Sequence, residues 1–191
     1  MAAMARYFSI NSVLRYVLLV VALAEHSLAC NNKPSHLQNY NYNLDGTKLM
    51  VNPITKNILA AVVGFVIGSV VNLGLVTIGM SVVPLPEGTD VSTMEAVRQS
   101  MKSLGPVNFI FPLLAHALGT LSGAFVAAKL AASHRMKFAV GIGVIFLIGG
   151  IAMVLNCGGP VWFIATDLLL AYIPMAFLGG SIAGGKTGHT A

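Results

Sequence analysis

Four long apolar runs dominate this chain of 191 residues. They cover about residues 57–83, 106–132, 137–156 and 160–184, and each reaches the length of about 20 residues that a helix needs to cross a bilayer. None carries Lys or Arg in its middle. Water is absent from the hydrocarbon layer, so each run must satisfy its own backbone, and for one run that means a helix. Composition agrees: 56% of residues are hydrophobic, 9% are charged and the mean hydropathy is +0.81. A soluble domain carries about 25% charged residues. The expected fold is therefore all-α, a polytopic membrane protein with four transmembrane helices arranged as two tandem hairpins within residues 50–191.

Charge sets the expected orientation. The net charge is +5, but the cations stand singly between apolar runs rather than in a patch with aromatics. That pattern speaks against nucleic acid and for a lipid bilayer as the partner. Lys56, Lys129, Arg135, Lys137 and Lys186 fall on one side of the four-span topology, and Arg98 and Lys102 fall on the other with Glu87, Asp90 and Glu95. The positive-inside bias predicts that both ends of the bundle lie in the cytoplasm.

Residues 1–49 point the other way. Arg6 and Arg15 precede the apolar YVLLVVALA, and Ser27-Leu28-Ala29 resembles a small-residue cleavage site. A polar, Asn-rich stretch from Cys30 to Lys48 follows, without helical or strand period, and is expected to be a disordered linker. A working secretory signal would invert the bundle against its own charge bias. Two readings stay open: a bundle that begins near Met50 behind an extension foreign to it, or a genuine signal or targeting segment.

Spans two and four share a pattern. Pro106-Val-Asn-Phe-Ile110 matches Pro160-Val-Trp-Phe-Ile164, and Leu121 to Lys129 matches Leu178 to Lys186, with three more residues inside the second copy. The matches suggest a parallel repeat of two hairpins. They also bear on Gly180 to Thr187, which fits G-x-x-x-x-G-K-[ST]. A phosphate loop needs a strand before it and a helix after it. This stretch closes a membrane helix and aligns with ordinary span-two sequence, so no nucleotide is expected.

Within the spans, Asn72, His116 and Asp167 stand out. At 1.5 Å per residue they lie roughly 16, 15 and 10 Å from the outer ends of their spans, in one slab from midplane to outer half. An ionised Asp facing lipid costs at least ~2.5 kcal/mol. Asp167 is therefore expected to face the bundle interior, with His116, Asn72, Thr120 and Tyr172 as candidate donors. Pro112 and Pro174 are expected to kink their spans and free carbonyls one turn back.

Small residues recur at every fourth position, among them Gly64, Gly68, Gly119, Gly123, Gly180 and Gly184. Such stripes let helices approach closely in lipid and would serve either an intramolecular bundle or a homo-oligomer. Between spans one and two, Ser92-Thr-Met-Glu95 fits a capping box, and Met94, Val97, Met101 and Leu104 would line one face of a short amphipathic outer-loop helix. Cys30 and Cys157 have no ligand spacing around them, so neither metal nor cofactor is expected.

The stretches VPLPEGTDVS, FIFPLLAHALGTLSGAFVA, MKFAVGIGVIFLIGGIA and PVWFI…DLLLAYIPMAFLGG together give the chain a family likeness. It resembles a widespread group of small four-span bacterial inner-membrane proteins with no assigned activity, over about residues 50–186. The resemblance implies a bundle in the inner membrane that begins near Met50, and it transfers no substrate or catalytic residue. Neither a nucleophile with its base, nor paired acids, nor a metal triad is apparent, so the residues do not argue for an enzyme. The first functional reading is a structural or partner-binding helix bundle that self-associates through its glycine stripes or binds a membrane partner. The alternative is a small-solute or proton- or ion-coupled permeation protein built on the Asn72, His116, Asp167 and Tyr172 slab.

Overall fold

The computed structural model describes residues 53–101 and 103–185. The signal-like segment, the start near Met50, Lys102 and Lys186 lie outside the described residues. Within them the chain is all helix: α1 (Pro53–Val82), α2 (Met94–Ser100), a 3-10 turn (Pro106–Phe109) leading into α3 (Ile110–Leu130), α4 (Arg135–Cys157), α5 (Val161–Leu170) and α6 (Ile173–Ile182). Four stretches are long and apolar enough to cross a membrane: Pro53–Val82, Pro106–Leu130, Arg135–Cys157 and Val161–Ile182. The first begins four residues before the expected Asn57. At 30 residues α1 measures about 45 Å, more than a hydrocarbon layer of about 30 Å, so in a membrane it tilts or emerges.

Polarity is distributed as lipid requires. Large apolar side chains face outward, Leu155 at 80%, Val161 at 81% and Leu169 at 70% exposure, while the buried polar residues are Thr120 and Asp167. The interior is built from small side chains: Ala124, Ala127, Ala128, Ala139, Ala176 and Ala183 surround Ile142. Association in lipid gains nothing from expelling water, so it depends on dispersion between surfaces brought close together.

The glycines make that approach. In the antiparallel pair of α1 and α3, a Cβ on Gly64 would stand 2.6 Å from the Gly123 carbonyl oxygen, and one on Gly68 would stand 2.7 Å from that of Gly119. Gly180 meets Ala139 and Met136 of α4, and Gly179 meets the backbone of Leu121 on α3. Five of the six glycines singled out in the sequence are thus buried between helices of one chain. Gly184 differs. It is exposed, with φ +81° beyond the end of α6, a left-handed conformation that glycine adopts without steric cost, so it ends the helix rather than packing it.

Helix α3 packs against α1, α4 and α6 and so occupies the centre. A two-fold relation between hairpins would pair α6 with α1 as α3 pairs with α4, and no comparable α1–α6 contact exists. The repeat in sequence is therefore not matched by a symmetric arrangement. Its three additional residues fall in a window that contains the interruption between α5 and α6.

The loops close both ends. Asn57 of α1 accepts the backbone N–H of Ala132 at 2.8 Å and of Ser133 at 3.3 Å, and donates to the Ser133 hydroxyl at 3.0 Å, fixing the α3–α4 loop. On the opposite side α2 is shorter than expected, seven residues, and its cap is Thr93 rather than Ser92. The Thr93 hydroxyl accepts from Ala96 N–H at 3.1 Å. Ser92 is occupied one step earlier, its N–H donating to the Asp90 carboxylate at 2.8 Å. Those Ser92 hydrogen bonds hold the Asp90 carboxyl below its ordinary value of 3.8.

Candidate functional site

Pro174 has no N–H and its ring excludes the carbonyl four residues back, so it kinks or breaks the helix near Leu170. The chain accordingly leaves α5 at Leu170 and re-enters helix at Ile173, with Tyr172 in the gap at φ −112° and ψ −78°. Pro112, by contrast, lies in the first turn of α3, just where the 3-10 turn gives way to α-helix. There the missing N–H interrupts no α-helical ladder, and span two is not broken.

The break in span four brings three side chains together. Asp167 Oδ1 lies 2.8 Å from His116 Nδ1 on α3, and the Tyr172 hydroxyl donates to Asp167 Oδ2 at 3.0 Å. Tyr172 Oη also stands 3.0 Å from His116 Nδ1, with the two rings 5.7 Å apart at an interplanar angle of 30°. Asp167 is 2% exposed and Tyr172 3%, whereas His116 keeps 22% of its side-chain surface. By helix rise, His116 is about 15 Å from Pro106 and about 21 Å from Leu130, well inside the span.

Donor and acceptor chemistry fixes what this cluster can hold. An ionised carboxylate only accepts, so with Asp167 ionised His116 Nδ1 carries a hydrogen and points it at Oδ1. If both His116 nitrogens are protonated, the imidazolium and carboxylate cancel. If the proton sits instead on Asp167 Oδ1 and is donated to Nδ1, both groups are neutral. These two forms differ by one transfer over 2.8 Å and leave no net charge in a medium that penalises it. Removing that proton leaves one negative charge. The three contacts together are worth on the order of 2 kcal/mol by averages for hydrogen bonds between membrane helices.

A fourth residue makes the site possible. A Cβ on Gly150 of α4 would collide with the Tyr172 hydroxyl, so only glycine leaves room for it. Nothing in the sequence alone distinguishes Gly150 from its neighbour Gly149, whose Cβ would meet open space. The signal would have been the α4–α6 register, in which Gly143 also faces Ala176.

Two other candidates lie apart. Asn72 stands over Gly119 on the α1 side of α3 and makes no hydrogen bond to the three. Thr120, one turn beyond His116, is buried with its hydroxyl unpartnered. No group of three or more metal-ligating side chains occurs among the described residues. The described part of the Gly180–Thr187 motif is the end of α6, with Lys186 and Thr187 outside the described residues.

In comparisons with family models, with curated proteins and with solved structures, nothing matches this chain.

Proposed function

We propose that this integral membrane helix bundle holds one exchangeable proton at mid-span, shared between His116 and Asp167 and steadied by Tyr172, and that it couples this proton to movement of a small solute or ion. One observation carries the reading: a nearly sealed carboxylate bonded to an ionisable imidazole at a break in a membrane helix. Intramembrane acids paired with histidine are the usual parts of proton relays. The break supports the coupling, since the groups that trade the proton lie on α3 and on both sides of the α5–α6 interruption. A change in protonation therefore acts on the one place where span four is not a continuous helix.

The buried stripes bear on the competing idea of self-association. Gly64, Gly68, Gly119, Gly123 and Gly180 already contact other helices of the same chain, which leaves them unavailable for a second copy. A clamp reading is favoured by a different fact: both oxygens of Asp167 are hydrogen-bonded within the protein. In that reading the cluster only locks α3 to span four.

The basic end supports a cytoplasmic location for both ends of the bundle, and the family resemblance supports the inner membrane. Proteoliposomes carrying an imposed pH gradient test the proposal. The expected result is faster dissipation than in protein-free vesicles, lost in Asp167→Asn and His116→Gln. Dissipation no faster than in empty vesicles, by protein shown to be folded, leaves the clamp.

A further inference from the structure

Two open clefts meet on α4 at the basic end of the bundle. The first, of about 350 Å³, is lined by Asn57, His134, Lys137 and Phe138. The second, of about 630 Å³, is apolar apart from Lys137 and runs along α4 past Val140, Gly141, Val144 and Ile145. Lys137 belongs to both. In the second cleft Gly141 lies on the open surface of α4, where a Cβ would meet nothing within 4 Å.

The charge around this end is one-sided. Lys56, Lys129, Arg135 and Lys137 gather here, and among the described residues every Asp and Glu other than the buried Asp167 lies in the loop at the opposite end. No carboxylate is within ion-pairing distance of Lys137 among the described residues. The cleft therefore offers a cation and hydrogen-bonding groups at the level where a span leaves the membrane. Directly below it lies an apolar stretch of α4 on which Val144 and Ile145 are exposed at 42% and 49%. A hydrated inorganic anion has use for the first part only. A molecule with an anionic head and a hydrocarbon tail uses both, and basic pockets between helix ends are known to take such headgroups.

We infer that this surface binds an anionic phospholipid, its phosphate at Asn57, His134 and Lys137 and one acyl chain along the apolar face of α4 that carries Gly141, Val144 and Ile145. The inference is independent of the proton cluster, which lies deeper in the bundle on other helices. Free phosphate shares the head chemistry and is separated from lipid by the test.

Purified full-length protein in a neutral detergent is titrated with phosphatidylglycerol, phosphatidylcholine or inorganic phosphate while thermal unfolding and native mass spectra are recorded. Phosphatidylglycerol is expected to raise the unfolding midpoint and to stay bound in the gas phase, whereas phosphatidylcholine and phosphate do neither. Lys137→Gln is expected to weaken phosphatidylglycerol binding about fivefold, the factor for one juxtamembrane cation. Gly141→Leu raises a bulky side chain where the acyl chain would lie and is expected to weaken binding as well, and each variant is compared with its own lipid-free midpoint. Equal stabilisation by the two lipids, or full stabilisation by phosphate alone, overturns the assignment. So does unchanged phosphatidylglycerol binding in both folded variants.

Discussion

Gly150 and Gly149 are adjacent on α4, yet alanine should act on them in opposite directions. At Gly149 the added methyl meets no atom within 4 Å, so only the helix-propensity gain applies, a stabilisation of up to about 1 kcal/mol. At Gly150 the methyl collides with the Tyr172 hydroxyl, and the ring must swing away. That swing breaks the contacts from Tyr172 to Asp167 and His116, about 0.6 kcal/mol each. Crowding in a packed interior adds roughly 1–3 kcal/mol. After the propensity gain is subtracted, Gly150→Ala should destabilise by about 1–3 kcal/mol. The assay is reversible unfolding of both variants in mixed micelles, followed by helical circular dichroism. The double variant Gly150→Ala/Tyr172→Phe should recover part of the loss, because the colliding oxygen is gone. Equal stability of the Gly149 and Gly150 variants would refute the register between α4 and α6, and with it the position of Tyr172 in the cluster.

Other perturbations follow from the same packing. Gly68→Leu drives a side chain into the Gly119 carbonyl and the Phe146 ring, and should separate α1 from α3, seen as a lowered unfolding midpoint in micelles. Pro174→Ala restores an N–H for the Leu170 carbonyl; it should straighten span four, leave stability equal or higher, and abolish the proton-linked behaviour assigned to Asp167. Asn57→Ala removes three hydrogen bonds from the α3–α4 loop and should cost about 1–3 kcal/mol, with faster amide exchange at Ala132 and Ser133. Asp90 is held below its ordinary 3.8, so its support of the turn before α2 is fully present above that pH and is lost as pH falls through the lower folded value. Amide exchange at Ser92 should therefore quicken on acidification below 3.8, and Asp90→Asn should remove the dependence.

The four spans were legible because hydropathy and length act over some twenty residues, and no local competitor can override a signal of that reach. Depth was legible for the same reason. Counting residues from the span ends put Asn72, His116 and Asp167 into one slab. Depth is one coordinate, however, and contact needs azimuth as well. Asn72 shares the depth of His116 but stands on the α1 side of α3 over Gly119, away from Asp167. The symmetric repeat failed on the same ground, since matching sequences do not fix which neighbour each helix faces. Pro174 announced a break, but that the break would turn Tyr172 back onto Asp167 depended on Gly150, a residue on a different helix. At the outer loop, Ser92 and Thr93 are equally good caps by chemistry. Asp90 decides between them by engaging the Ser92 N–H first.

The most direct test of the shared proton is a count of protons. Folded protein in detergent is titrated potentiometrically from about pH 4 to pH 10, the range that brackets carboxylate and imidazole groups, alongside Asp167→Asn and His116→Gln. Infrared difference spectra follow the carboxyl band in parallel. The double variant Asp167→Asn/His116→Gln, titrated in the same way, holds neither group, so the wild type should release one proton more than it does, and the carboxyl or imidazolium signal that accompanies this proton should be absent from it. Identical proton counts for the wild type and the double variant, with every protein folded, would contradict the account.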